Sequence, residues 1–149
     1  MKNPVLAVAS GGGHFEQLIR IAEHIDSSRI IYATTVNGYT INSELPPIIV
    51  NDCNTNTKFS MLVTCIQLTK IIIQFNPSII ISTGAAPGLI AIIMGKIFFK
   101  KTIWIDSIAN SEDISKSGKI AKYFVDLYLT QWKHLENKSH GPRYGGSIL

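Results

Sequence analysis

The residues best placed for chemistry are Ser10, Gly11, Gly12, Gly13 and His14, which follow a short apolar run, VLAVA. Glycines between a strand and a helix let the backbone turn tightly and approach a ligand. The start of the helix then presents unpaired N–H groups and a partial positive charge. The implied chemistry at Ser10, Gly11, Gly12 and Gly13 is anion binding, most simply a phosphate. The plain alternative is a tight turn without a ligand. Glu16 stands where the third glycine of Gly-x-Gly-x-x-Gly belongs, and no Walker lysine follows, so a nucleoside triphosphatase is not expected. His14 can exchange a proton near neutral pH. A neutral imidazole beside an anion site suits a general base for a hydroxyl, or a hydrogen-bond donor to the anion. A helix-capping or core histidine is the alternative.

Two more segments repeat the theme of small and polar residues after an apolar run. In STGAAPG, Thr83 and Gly84 precede a helix opened by Pro87. In WIDSIANSED, Asp106 is followed by Ser107, Asn110, Ser111 and Glu112. A carboxylate at position 106 would bind sugar hydroxyls or assist a base, or it would simply cap the next turn. Both readings stand on the sequence alone.

These loops need elements to hold them, and the chain alternates accordingly. Residues 5–9, 29–34, 48–50, 78–82, 102–106 and 126–130 read as strands, and residues 16–25, 59–75, 87–99 and 119–124 as helices. On helix 59–75, Ser60, Thr64, Gln67, Lys70 or Thr69, and Gln74 fall at steps of three or four and predict one narrow wet stripe. Strands apolar on both faces, separated by helices, predict a doubly wound parallel α/β sheet. Ligands of such sheets bind beyond the carboxyl ends of the strands, so the three loops should converge on one crevice.

A length of 149 residues with 46% hydrophobic and 16% charged residues fits one globular domain, residues 1–149, and excludes a disordered chain. The net charge of +4 favours anionic partners without arguing for nucleic acid. Cys53 and Cys65 are read as free thiols, and neither a metal site nor a cofactor is expected. The first apolar run breaks at Ser10, so no signal peptide is expected, and no run reaches the roughly 18 to 20 apolar residues of a membrane span. The expected location is cytoplasmic, with peripheral membrane contact. Residues 89–99, with Lys96, Lys100 and Lys101 at their end, read either as a core helix or as an interfacial one.

The set SGGGHFEQ, ISTGAAPG, IDS, LYLTQW and YGGSIL resembles the Alg14 family, and within it the short bacterial polysaccharide-biosynthesis proteins of the PssD/Cps14F type. Such proteins are similar to the N-terminal half of a GT-B glycosyltransferase of the MurG kind. The resemblance implies one subunit of a split, metal-independent, inverting enzyme on the inner face of the cell membrane. An Alg13-like partner would carry most of the UDP-sugar site, and this chain would bind a lipid-diphosphate-linked acceptor and the membrane surface. Asp106 stands where the family usually has glutamate, and the membrane anchor of eukaryotic relatives is not expected here. His14 is the expected base, with Asp106 as a second catalytic candidate. The diphosphate would contact Ser10, Gly11, Gly12, Gly13, Thr83, Gly84 and Ser107. Tyr144, Gly145, Gly146, Ile148 and Leu149 are expected to dock on the partner. A non-catalytic adaptor of that partner is the alternative. A dinucleotide-binding enzyme is disfavoured, because no acidic residue follows the second strand for a ribose.

Overall fold

The structure, a computed structural model, describes residues 3–54 and 56–148. Its elements are β1 (Val5–Ala9), α1 (Gly13–Ala22), β2 (Ile30–Thr34), β3 (Ile48–Ile49), α2 (Lys58–Phe75), β4 (Ile79–Gly84), α3 (Ala85–Ile97), β5 (Lys101–Ile105), α4 (Lys116–Ala121), β6 (Leu127–Thr130) and β7 (Arg143–Tyr144). A short 3₁₀ turn, Lys133–Leu135, lies between β6 and β7. The strands form one parallel sheet in the order β3-β2-β1-β4-β5-β6-β7. This is the doubly wound α/β fold expected from the alternation of elements.

Side-chain alternation sorts each central strand between two cores. Leu6, Val8, Ile31, Ile80 and Trp104 pack with α2, α3 and α4 on one face. Val5, Ala7, Ala9, Tyr32, Ile81 and Ile105 pack with Phe15, Leu18 and Ala22 of α1 on the other. The strand order turns back between β1 and β4, so their carboxyl ends open the gap into which α1 and α3 point.

Several boundaries and faces differ from the sequence reading. Helix α1 starts at Gly13, three residues earlier than position 16, because Glu16 N already closes a helical bond to Gly12 O. Strand β4 runs through Thr83 and Gly84, and the two-residue β7 has no counterpart among the strands read from the sequence. The expected wet stripe on α2 is partly inward. Thr64 is fully buried, its hydroxyl donating to Asn51 O at 2.8 Å and Ser60 O at 2.9 Å, while Gln67 Oε1 accepts from Asn51 N. The exposed side of α2 instead carries Phe59, Leu62, Ile66 and Ile73. This helix is long and apolar enough to cross a membrane by length and composition, with 18 residues at mean hydropathy 1.3, contrary to the expectation that no segment is. Residues 89–99 combine a buried body with an open end. Ile90, Ala91, Ile92 and Gly95 are buried, leaving Ile97 and Phe99 strongly exposed at the end.

Candidate functional site

The site is built where β1, β4 and β5 end. His14 lies in the first turn of α1, and its backbone is pinned by Thr83, whose Oγ1 donates to His14 O at 2.6 Å. His14 Nδ1 is 3.2 Å from Thr83 O. A carbonyl can only accept, so that contact assigns the proton to Nδ1 and leaves the Nε2 lone pair free of it. The ring rests on Gly84. A β-carbon there would lie 2.5 Å from Nδ1, and Gly84 has φ +145°, where side chains are rarely accommodated. The next residue, Ala85, has φ +63°, a conformation that costs an L-residue about 1–2 kcal/mol. Strain and close approach therefore meet under the imidazole.

The glycine turn is only partly open. Gly11 N donates to Thr35 Oγ1 at 2.9 Å, and Gly12 N to Tyr39 OH at 2.6 Å. Tyr39 is held by an edge contact with Phe15, ring centroids 4.7 Å apart. Two of the amides expected to face an anion are thus engaged by hydroxyls from beyond β2. Gly12 and Gly13 have open space on their β-carbon side. Helical geometry leaves the amides of the first turn, Gly13 to Phe15, as its unpaired donors.

The third loop is closed by its own residues. Asp106 is 1% exposed, accepting from Trp104 Nε1 at 3.0 Å, Ser115 N at 2.9 Å, Ser115 Oγ at 2.5 Å and Asn110 Nδ2 at 3.3 Å. The carboxylate ties the end of β5 to Ser115, the N-cap residue of α4, and both of its oxygens are engaged there. Ser107 and Thr83 are buried too. Ser107 Oγ accepts from Gln17 Nε2 and Ala109 N, and Thr83 holds His14. Both hydroxyls support the crevice rather than face it.

The loops do come together, through residues the sequence reading passed over. Gln17 bridges α1 to Ser107 and Ile108, and Gln131 and Trp132, just after β6, reach Asp106 O and Ile108 O. Gln17 follows His14 by three positions, on the same helix face, which is the one signal that could have found it. Beside the crevice, on the α1 side of the sheet, is a hollow of about 590 Å³. It is lined by Arg20, His24, Ile105, Leu129, Gln131 and Ile148 among others. Tyr144 and Gly145 are strung along β6, with Gly145 N bonded to Thr130 O, and Ile148 N reaches Gln131 Oε1. Leu149 lies outside the described residues. No cluster of three or more metal-ligating side chains occurs among the described residues.

Residues 49–148 match the family described as "Oligosaccharide biosynthesis protein Alg14 like". The mouse UDP-N-acetylglucosamine transferase subunit ALG14 is 29% identical over 87 residues, 53% of this chain and 39% of that protein. Among solved structures, MurG of Acinetobacter baumannii superposes with a TM-score of 0.76 at 11% identity, over 99% of this chain and 47% of that one. UDP-N-acetylglucosamine 2-epimerase of Rickettsia bellii gives 0.69 at 13% identity, over 88% and 39%. The fold is therefore shared with these enzymes, and the chain spans less than half the length of each.

Proposed function

The chain belongs to the Alg14-like family of oligosaccharide biosynthesis proteins, and on that premise we propose that it is the acceptor-side subunit of a two-component glycosyltransferase. The complex would transfer a sugar from a UDP-sugar to a saccharide carried on a lipid diphosphate, in exopolysaccharide, capsule or glycan synthesis. The observation that carries this reading is the placement of His14. Its Nδ1 is 3.2 Å from Thr83 O, and its ring is seated on Gly84 at the start of two helices. With the proton on Nδ1, Nε2 is the atom that removes the acceptor hydroxyl's proton as that oxygen attacks the anomeric carbon. The UDP leaves from the opposite side, so the configuration inverts. The amides at the start of α1 and α3 offer partial positive charge to the acceptor diphosphate, with no metal required. An Alg13-like partner would supply most of the UDP-sugar site. The hollow by Ile105 and Leu129, with Gly145, Gly146 and Ile148 along its edge and Tyr144 just before them, is the docking surface we assign to that partner.

Membrane attachment on the cytoplasmic face is assigned to the outer side of α2 and the end of α3. There Phe59, Leu62, Ile66, Ile73, Ile97 and Phe99 are exposed beside Lys58, Lys70 and Lys96. Apolar side chains rimmed by lysines suit an anionic bilayer surface.

The deciding experiment is sugar transfer by the chain co-expressed with its partner subunit. His14→Ala should lower the rate by about 100-fold or more, the usual worth of a general base, with complex formation intact. Transfer within threefold of wild type would remove the base and leave the chain as an adaptor.

A further inference from the structure

A pair of glutamine side chains links the crevice to the hollow. Gln17 Nε2 donates to Ser107 Oγ at 3.0 Å, and Gln17 Oε1 accepts from Ile108 N at 3.0 Å. The same oxygen accepts from Gln131 Nε2 at 3.1 Å, and that Nε2 also donates to Asp106 O at 3.1 Å. Gln131 Oε1 in turn accepts from Ile148 N at 3.4 Å. Gln131 is 4% exposed, so each of its polar atoms depends on these partners rather than on water. A primary amide is the side chain that donates and accepts from adjacent atoms, and the orientation of one fixes that of the other. The chain of bonds runs from residue 148, at the edge of the hollow, through β6 and α1 to the turn at 107–109. It ends one helical turn from His14.

We infer that Gln17 and Gln131 are positioning residues that make the crevice respond to what occupies the hollow. A partner surface that holds Ile148 in place keeps Gln131 Oε1 engaged and its amide plane fixed. Gln131 Nε2 then holds Gln17, and Gln17 holds both the Ser107 hydroxyl and the Ile108 amide. When residues 145–148 lift away, Gln131 Oε1 loses its donor, and the amide plane that meets Gln17 Oε1 and Asp106 O is held from the Nε2 side alone. The inference deepens the two-component reading and rests on it for the nature of the occupant. The linkage itself is a property of this chain.

Amide hydrogen exchange on the full chain tests it without any transferase assay, so its failure is distinct from failure of the sugar-transfer reading. Gln131→Leu should speed exchange at Ile108 by about tenfold, the worth of one buried hydrogen bond, with Ile80 and Ile81 in the sheet centre unchanged. Ile148→Pro, which removes the N–H given to Gln131 together with the isoleucine side chain, should speed Ile108 by about threefold, and Ile148→Ala, which keeps the N–H, should leave it near wild type. Gln131→Glu adds a pattern that simple packing would not produce. Its protonated carboxyl has one O–H, which can serve Gln17 Oε1 in place of one of the two amide N–H bonds, whereas its carboxylate can donate to neither acceptor. Protection at Ile108, corrected for intrinsic rates, should therefore be highest at low pH and fall as the new carboxyl ionises. Unchanged exchange at Ile108 in Gln131→Leu would deny the bridge. A response to Gln131→Leu with none to Ile148→Pro would deny that residues 145–148 take part.

Discussion

Gly84 sets the position of His14 by what it lacks. Because a β-carbon would meet the imidazole at 2.5 Å and φ is +145°, Gly84→Ala must displace the ring or the turn. We expect this variant to lose transfer about as severely as His14→Ala, roughly 100-fold, while circular dichroism and complex formation stay as in wild type. A second residue tests the opposite effect. The Tyr128 hydroxyl is buried and meets no hydrogen-bond partner among the described residues. Burial first, and the Asp106 charge second, push its phenol well above the ordinary value of 10.0. Tyr128→Phe removes an unsatisfied polar atom and should raise stability by about 1 kcal/mol, seen as a higher denaturation midpoint. The sign follows from linkage. A group kept neutral in the fold stabilises it fully below pH 10.0, and that contribution fades as pH rises and the unfolded tyrosine ionises. The advantage of the phenylalanine variant should therefore widen above pH 10. At this scale the position of His14 beside a glycine turn was legible, because three glycines before a histidine leave a local trace. Gln131 was not, because an amide bonded across 114 positions leaves none, and Gln17 left only its spacing of three from His14.

Among the elements, α2 shows how a pattern can be read with the wrong face outward. Thr64 and Gln67 are polar by type, yet they satisfy backbone groups at Ser60 and Asn51, and so the helix turns them inward. Hydrophobic periodicity assumes that polar means solvent, and local side chain–backbone bonds override it. The strands were legible for the contrary reason. The strand Val5–Ala9 is buried on both sides and wholly apolar, so its run reads directly. The outward apolar face of α2 carries a prediction of its own. Flotation with vesicles containing anionic lipid should recover the chain, and Leu62→Glu with Ile66→Glu should abolish that recovery. Substitution of Lys96, Lys100 and Lys101 by Glu should weaken it, each lysine contributing on the order of 1 kcal/mol near such a surface. Equal flotation of the Leu62→Glu, Ile66→Glu variant would remove α2 from the membrane.

For the whole molecule, the sheet is dressed unevenly. Among the described residues, α2, α3 and α4 cover one face, whereas α1 with Tyr39 and Ile41 covers the other, and the hollow lies on that second side. The parallel strand order has a further consequence, which concerns how the chain is made. The middle of the sheet joins the beginning of the chain to its centre, since Ser78 bonds Pro4 across 74 positions and β1 lies between β2 and β4. During synthesis β1, α1, β2 and α2 all leave the ribosome before β4 exists to join them. Contacts so distant in sequence close slowly, and the apolar strand Val5–Ala9 meanwhile has one partner at most. A stalled nascent chain that presents residues only up to 76 outside the tunnel should be cut readily by protease. One that presents residues through 105 should resist, because β4 and β5 have then arrived together. The same topology makes the early chain a client for chaperones, and growth temperature should affect its yield more than its final stability does.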